Sequence, residues 1–237
     1  MTIDIDKQKI LTTYVKNNLS QYLEFDVDKI YDVSDYAFIF GGAIRDSIVG
    51  ESINDIDIVG VSNSIRAVEK LLKQEGYIYE EQYYEVNGVL SLYTDVKIIH
   101  APITYVKGNK KIQLIRPVIK YLQDDQVKSF FKILTNVDLS CCGVYYNGKY
   151  IKESYNSAII HCIFKKFNVD YDSLMYDDGR EKIRSAKLVS RGWEKMKSNP
   201  YYNEDVVVSS FSNSDDKALD DYFKKIDRDL TIDDILD

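Results

Sequence analysis

Two aspartates one residue apart, Asp55 and Asp57, have the type and spacing that can bind a divalent cation. They belong to an otherwise apolar segment that is predicted to form a β-strand, with Ile56 and Ile58 directed into the core. Because successive side chains of a strand point to opposite faces, both carboxylates project to the same side. A divalent cation would relieve their mutual repulsion, and hard oxygen ligands suit Mg²⁺. Taken alone, Asp-x-Asp is more often a solvated strand edge.

A pair of glycines, Gly41 and Gly42, follows an apolar segment, residues 38–40, that is predicted to be a strand. A short helix is predicted directly afterwards, over residues 43–49. Glycines between a strand and a helix N-terminus let the backbone approach a ligand closely and leave N–H groups directed outward, which suits a phosphate. A glycine pair by itself usually marks a turn. The order of strand, glycines, helix and Asp-x-Asp is more specific than any one part.

Seven residues of this region, in the order GG-x-x-RD, then G, then D-x-D, resemble the head signature of a known enzyme family. The family is the CCA-adding enzyme and bacterial poly(A) polymerase branch of the polymerase-β-like nucleotidyltransferases. The matching residues are Gly41, Gly42, Arg45, Asp46, Gly50, Asp55 and Asp57. The resemblance is most specific in residues 38–60 and covers the head, roughly residues 36–150.

A third carboxylate on a neighbouring strand is a further feature that the resemblance implies. Asp138, in the segment NVDLSCCGVYYNG, is the favoured candidate, because its context is similar to the family's apolar–Asp–apolar strand followed by small residues. Asp95, at the start of another apolar strand, is its rival. The resemblance then implies that Asp55, Asp57 and Asp138 are catalytic and hold two Mg²⁺ ions.

Nucleotidyl transfer is the reaction that the resemblance implies: an acceptor hydroxyl attacks the α-phosphate of an NTP, and pyrophosphate leaves. Metal ions at the three aspartates would lower the pKa of the attacking hydroxyl and neutralise the leaving oxygens. Gly41 and Gly42 would offer backbone N–H groups to the triphosphate. An RNA 3′ end is the favoured acceptor, with a small molecule or a protein hydroxyl as alternatives.

Basic residues also mark a candidate nucleotide site. Four of them are predicted to share one face of a helix over residues 180–196: Arg180, Arg184, Lys187 and Arg191. In an acidic protein such a basic stripe can contact a triphosphate or an RNA backbone, and a solvated helix face is the equal alternative. We assign Arg184 and Lys187 to nucleotide binding. Arg45 either lies near substrate phosphate or ribose, as a nucleotide-binding residue, or forms a local ion pair with Asp46 that braces the loop.

The composition of the 237-residue chain, 45% hydrophobic and 29% charged, is that of an ordinary soluble globular protein. A net charge of −7 argues against a protein that coats nucleic acid non-specifically, because such a protein needs a basic footprint. No apolar run approaches a membrane span, and the N-terminus lacks a signal-peptide pattern, so we predict a cytoplasmic protein without membrane contact.

Cys141, Cys142 and Cys162 have no metal-ligand spacing and are predicted to be buried free thiols.

Strands and helices alternate over residues 36–150, which predicts an α+β head with a mixed sheet of four to six strands. We predict four regions in the chain. They are an N-terminal helix packing on the head (1–35), the nucleotidyltransferase head (36–150), a helical region (151–198), and a linker with an acidic amphipathic tail (199–237). The tail is predicted to form a helix that docks on this protein or on a partner protein.

Hydrophobic periodicity and turn residues predict the individual elements. The predicted helices cover residues 5–25, residues from 65 to a stop at Gly76, and residues 118–134, 157–167 and 180–196. The predicted strands include a hairpin around Asn87 and Gly88, residues 95–99, residues 111–116 after a turn at 107–110, and residues 137–145.

Several function classes remain compatible with the sequence. The CCA-adding enzymes continue through long helical domains that select nucleotide and tRNA, whereas only residues 151–237 follow the head here, and the nucleotide-selecting motif of those enzymes is not found. We therefore predict a Mg²⁺-dependent nucleotidyltransferase rather than CCA addition itself. The alternative is a catalytically inactive nucleotide-binding or scaffold subunit with the same fold. A metal-dependent phosphohydrolase is a third class, which the glycine pair and the lack of a histidine cluster disfavour.

Overall fold

A computed structural model describes residues 3–80, 102–116, 137–155, 157–170, 178–196 and 213–236. These residues form seven α-helices, a seven-stranded mixed sheet and a separate two-stranded sheet. The predicted α+β class, a mixed sheet with flanking helices, is confirmed, with one strand more than the upper predicted number. None of the described helices has the length and apolar character that crossing a membrane requires.

The elements are numbered in chain order. The helices are α1 (Ile5–Leu23), α2 (Asp28–Asp32), α3 (Gly42–Ile48), α4 (Ser62–Gln74), α5 (Ala158–Ile163), α6 (Asp178–Ser190) and α7 (Asn213–Leu236). The strands are β1 (Ala37–Phe40), β2 (Ile56–Gly60), β3 (Ile78–Glu80), β4 (Ile103–Lys107), β5 (Lys110–Ile115), β6 (Val144–Tyr146), β7 (Ile151–Glu153), β8 (Lys166–Phe167) and β9 (Glu194–Lys195). A 3₁₀ turn, Ser140–Cys142, precedes β6.

Strand β2 lies in the middle of the large sheet, whose order is β3-β4-β5-β2-β1-β6-β7. It pairs antiparallel with β1 and parallel with β5, so that Asp57 lies opposite Phe40 on one side and Gln113 on the other. Ile56 and Ile58 are completely buried in the core. Because side chains alternate along a strand, Asp57 belongs to the opposite face of the sheet.

The connection from β1 to α3 depends on a glycine. Gly41 has φ +73°, a left-handed conformation that L side chains rarely adopt, and α3 begins at the next residue. The Gly41 N–H donates to the carbonyl of Val144 (2.9 Å), which ties this turn to β6. Ile44 and Ile48 are fully buried, so α3 packs firmly against α1 and the sheet.

Helix α1 is capped by Asp4, whose carboxylate accepts the Lys7 N–H (2.8 Å). Four apolar side chains spaced three to four residues apart are fully buried along it: Leu11, Val15, Leu19 and Leu23. This stripe matches the periodicity that predicts a helix over residues 5–25. The Thr12 hydroxyl oxygen accepts the N–H of Ile151 (3.2 Å), so α1 also contacts the edge strand β7.

Helix α7 packs along α1 and contains most of the described part of the acidic tail. Lys7 forms an ion pair with Asp220 (2.6 Å), and its Nζ lies 5.7 Å from the centre of the Phe223 ring. The Tyr222 hydroxyl donates to the carbonyl oxygen of Ile48 (2.6 Å). The tail helix therefore docks on this protein, and it begins at Asn213, inside the segment predicted to be a linker.

Three predicted elements differ from those observed. The strand predicted over residues 137–145 is interrupted: the Ser140 N–H donates to the carbonyl of Asn168 (3.0 Å), the chain turns through a 3₁₀ helix, and only β6 is extended. The helix predicted over 157–167 ends at Ile163, and that over 180–196 ends at Ser190. The residues beyond these helices form β8 and β9, which pair with each other. Sequence periodicity did not reveal this long-range pairing.

The turn predicted at residues 107–110 is confirmed as the β4–β5 hairpin, with Gly108 at φ +60°. The large sheet continues through β7, three residues past the predicted head boundary at 150. The division into four regions stays a prediction. Of the hairpin predicted around Asn87 and Gly88, which starts at Tyr77, only residues 77–80 are described, and they include β3. The strand at 95–99 with Asp95 and the helix over 118–134 lie outside the described residues.

Candidate active site

Asp57 lies half-buried on β2, with Asp55 two residues before it. Its Oδ1 atom is shielded from solvent and has no hydrogen-bond partner among the described residues. Burial, and next the negative charge of Asp55, raise the pKa of Asp57 to about 7, and the positive charge of Arg184 opposes this rise. The electrostatic effect of Asp55 on Asp57 agrees with the prediction that both carboxylates project to one side.

Asp138 is nearly inaccessible to solvent and lies in the bend before the 3₁₀ turn. Backbone contacts hold it on both sides: its carbonyl accepts the N–H of Asp170 (2.9 Å), and Leu139 bridges to Val169. Its Oδ1 forms an ion pair with Arg184 Nη1, and its buried Oδ2 has no hydrogen-bond partner among the described residues. Because Arg184 also acts on Asp57, the structure brings Asp138 into the electrostatic neighbourhood of the Asp55–Asp57 pair.

Cys142 lies between two arginines. Its Sγ is 3.3 Å from Arg45 Nη1 and 3.6 Å from Arg184 Nη2. A hydrogen bond from the Cys141 thiol and the charges of the two arginines lower the pKa of Cys142, against the opposing effect of burial. The described thiols are free and buried, as predicted. Cys141 and Cys142 lie in the 3₁₀ turn, within the residues 137–145 that are predicted to be a strand.

Arg45 forms a local ion pair and is itself buried. Its guanidinium contacts Asp46 Oδ1 at 2.7 Å and lies 5.7 Å from the Trp193 ring. Arg191 joins the same carboxylate oxygen (2.7 Å) and also bonds Glu51, through Nε at 2.8 Å. This network ties the segment after the glycines to the turn that follows α6. The geometry matches the bracing interpretation of Arg45, and its assignment to nucleotide binding stays a prediction.

The basic stripe on α6 is only partly exposed. Arg184 pairs with Asp138, and Arg191, one residue past the end of the helix, pairs within the head. Lys187 is exposed. The side chain of Arg180 lies outside the description. Arg184 and Arg191 therefore form ion pairs with residues of the head. These two arginines do not lie on a fully solvated helix face.

The two glycines differ in what their backbone can offer to a ligand. The Gly41 N–H already donates to Val144, so the expectation that both glycines direct N–H groups outward is wrong for Gly41. A Cβ atom added at Gly41 would meet nothing within 4 Å in the described structure, and one at Gly42 would lie 3.6 Å from Arg45 Nη2. Glycine is required at 41 because of its positive φ rather than because of crowding.

The donor chemistry fits a hard divalent cation, but the side chains as they stand do not converge on one ion. Among the described residues, no group of three or more His, Cys, Asp or Glu side chains is arranged as a metal site. Two buried carboxylate oxygens, Asp57 Oδ1 and Asp138 Oδ2, nevertheless lack hydrogen bonds there. Leaving such atoms unpaired is costly, and a metal or ordered water would satisfy them. Asp138 differs from the Asp55–Asp57 pair because one of its oxygens is already bound by Arg184.

A cavity of about 360 Å³ opens beside this region, between α1 and the loop at residues 50–53. Tyr14, Asn18 and Tyr22 line its helical wall. The Tyr22 hydroxyl donates to the carbonyl of Asn54 (2.9 Å), which fixes the segment leading into the Asp-x-Asp strand. Glu51 lines the cavity and also belongs to the Arg191 network.

Two contributing residues, Glu51 and Lys165, were not singled out from the sequence. Glu51 accepts from both Arg191 and Lys165, the latter at 2.6 Å. Trp193, which packs near Arg45, is the single tryptophan of the chain and follows an Arg-Gly pair, a sequence signal that marks this turn. Glu51 and Lys165 carry no pattern, because they meet only through the tertiary fold.

The sequence matches no protein-family model and no curated protein sequence. Solved structures match in fold. The Thermotoga maritima CCA-adding enzyme complexed with tRNA superposes with a TM-score of 0.55 at 16% identity, covering 84% of this chain and 44% of that one. A CCA-adding enzyme in complex with CTP gives 0.57 at 17% identity, covering 83% and 44%. An apo CCA-adding enzyme gives 0.54 at 17% identity, covering 80% and 42%.

The chain thus spans less than half the length of these solved proteins. At such low identity the likeness is one of fold. This chain therefore shares its fold with part of these CCA-adding enzymes.

Proposed function

We propose that this protein is a Mg²⁺-dependent nucleotidyltransferase that moves an NMP from an NTP to an acceptor hydroxyl. The observation that carries the proposal is the position of Asp57. It lies on the central strand of a nucleotidyltransferase-type sheet, beside Asp55, with a buried oxygen that has no partner among the described residues. This fold with a carboxylate pair at its centre favours metal-assisted phosphoryl chemistry over binding alone.

Asp55, Asp57 and Asp138 are the residues that would hold two Mg²⁺ ions. Bound metal would lower the pKa of the acceptor hydroxyl and neutralise the charge that develops on the leaving pyrophosphate. The chain's own contribution is to hold the carboxylates in place before substrate arrives. Burial, and next the charge of Asp55, raise the pKa of Asp57 to about 7, so this carboxyl group is a better metal ligand above neutral pH than below it.

Basic groups near the carboxylates would bind the triphosphate. Arg184 lies at the carboxylate cluster, and Lys187 is exposed one turn further along α6. Arg45, braced by Asp46, would contribute positive charge close to the glycines, where Gly42 is the residue left to offer its N–H group. Solved CCA-adding enzymes in complex with CTP, ATP and tRNA support an NTP as the substrate and an RNA 3′ end as the acceptor.

The test measures incorporation of label from each of the four α-³²P NTPs into total RNA in the presence of Mg²⁺. We expect label on RNA with the wild-type protein and at least about a 100-fold loss with Asp57→Asn, because one essential source of charge stabilisation is removed. Asp35→Asn, which changes an exposed aspartate, is the matched control and keeps wild-type activity. Label on protein in the same lanes would replace RNA by a protein hydroxyl as the acceptor.

A nucleotide-binding subunit without catalysis is the second candidate, and one observation favours it. Arg184 already neutralises Asp138, so the three carboxylates are not all free to bind metal in this state. Such a subunit would bind NTP and raise its melting temperature without transferring label. Equal labelling by wild type and Asp57→Asn, or none by either despite NTP binding, would therefore reject the transferase.

A further inference from the structure

We propose that Arg184 is an internal counter-ion of the candidate site, which pairs with Asp138 and exchanges this carboxylate for the phosphates of an incoming NTP. This inference rests on the proposed function and adds a positioning role for one residue. It predicts that metal and nucleotide bind cooperatively, because the nucleotide draws Arg184 away from a carboxylate that the metal needs.

The first support is the difference in solvent exposure between the two partners. The Asp138 side chain is 3% exposed, and backbone contacts to Asp170 and Val169 hold its segment. The Arg184 side chain is 38% exposed and extends from the surface of α6. The arginine is therefore the partner with a path into solvent, and the carboxylate is the fixed partner.

The second support is that the guanidinium of Arg184 and a metal ion would compete for the same carboxylate. Arg184 Nη1 bonds Asp138 Oδ1, and the other oxygen, Oδ2, is buried and has no hydrogen-bond partner among the described residues. A divalent cation that approaches this carboxylate would meet electrostatic repulsion from the guanidinium.

The third support is that α6 has separate anchors. Its C-terminal end is held by Arg191, which binds Asp46 and Glu51, and by the buried Trp193. These contacts do not involve Arg184, so the helix can stay docked while the Arg184 side chain rotates.

The experiment measures Mn²⁺ binding by electron paramagnetic resonance, with and without a non-hydrolysable NTP analogue. We expect Arg184→Gln to bind Mn²⁺ about 10-fold more tightly than wild type in the absence of nucleotide. We expect the analogue to tighten Mn²⁺ binding in wild type but hardly in Arg184→Gln. Arg66→Gln, which removes an exposed arginine on α4, is the matched control and should behave as wild type.

Two further variants separate charge from packing. Arg184→Lys keeps the positive charge and should keep the weak Mn²⁺ binding of the wild type. Arg184→Met, with an apolar chain of similar length, repeats the measurement if Arg184→Gln fails to fold. The nucleotide dependence is the decisive result, because an arginine that stays paired with Asp138 would repel Mn²⁺ equally with and without the analogue.

The outcomes distinguish this inference from the proposed function. Suppose that wild type binds Mn²⁺ and Asp57→Asn does not. If Arg184→Gln then binds Mn²⁺ as tightly as wild type or more weakly, the counter-ion role is wrong, but the metal site is supported. If Mn²⁺ does not bind wild type with or without the NTP analogue, the metal-dependent function is wrong, and the counter-ion role falls with it.

Discussion

His161 is a buried histidine whose ring holds the turn that follows Asp138. Its Nδ1 lies 2.9 Å from Ser140 Oγ, and the same oxygen accepts the N–H of Asn168 (2.8 Å). The Ser140 hydroxyl therefore links the His161 ring to the backbone of Asn168. Burial, and to a lesser extent the charge of Lys166, lower the pKa of His161 to about 4.

We predict that His161 makes the protein less stable as the pH falls from about 6.5 to 4. In this window the unfolded chain takes up a proton that the folded protein does not, so the free energy of unfolding decreases. His161→Gln keeps a polar side chain beside Ser140. Between pH 7.5 and 4.5 we expect the free energy of unfolding to decrease by about 2 kcal/mol less in this variant than in the wild type. Urea unfolding followed by Trp193 fluorescence measures the difference, and parallel pH curves for the two proteins would contradict it.

Elements far apart in the chain meet through Arg191. This residue follows α6 and bonds Asp46, whose side chain is only 4% exposed. We predict that Arg191→Ala lowers the free energy of unfolding by about 2–3 kcal/mol, because a nearly buried carboxylate loses one of its two cations. Arg191→Lys should restore part of the loss, and Arg66→Ala, on an exposed helix position, should change stability by less than about 0.5 kcal/mol. Equal effects of the two alanine variants in urea denaturation would show that the network is not stabilising.

The elements that the sequence predicts well are those that local signals define. Strand β1, helix α3 and strand β2 follow from an apolar run, a glycine pair and an alternating pattern over residues 38–60, and α4 ends beside Gly76 as predicted. The 3₁₀ turn at Ser140–Cys142 and the β8–β9 pair could not be predicted in this way. Both depend on backbone hydrogen bonds to segments 20 or more residues away.

The same distinction applies to the candidate site. Asp55 and Asp57 are neighbours in the sequence, so strand alternation alone predicts their shared face. The pairing of Asp138 with Arg184 joins residues 46 positions apart, and only the docking of α6 on the head brings them together. The sequence therefore identified both residues as candidates without indicating that they neutralise each other.

At the scale of the whole molecule, α7 closes the fold by covering α1. Leu219, Phe223 and Ile226 are buried along the face that packs there. We predict that Phe223→Ala lowers the free energy of unfolding by about 3 kcal/mol, because it removes a large side chain from a packed interface. Lys225→Ala, two residues further on and exposed, is the matched control. A loss below about 0.5 kcal/mol in thermal or urea unfolding would mean that α7 is not an integral part of the folded protein.

The α1–α7 contact also has a consequence for biosynthesis. Lys7 and Asp220, which form an ion pair in the folded protein, are 213 positions apart. At a translation rate of roughly 5–20 residues per second, α7 is synthesised on the order of 10–40 s after α1. The surface of α1 that α7 covers stays uncovered for that time. During this interval the nascent chain presents that surface to chaperones and to other nascent chains, and final docking is a slow, non-local step. Misassembly is therefore expected to arise during synthesis rather than from the finished protein.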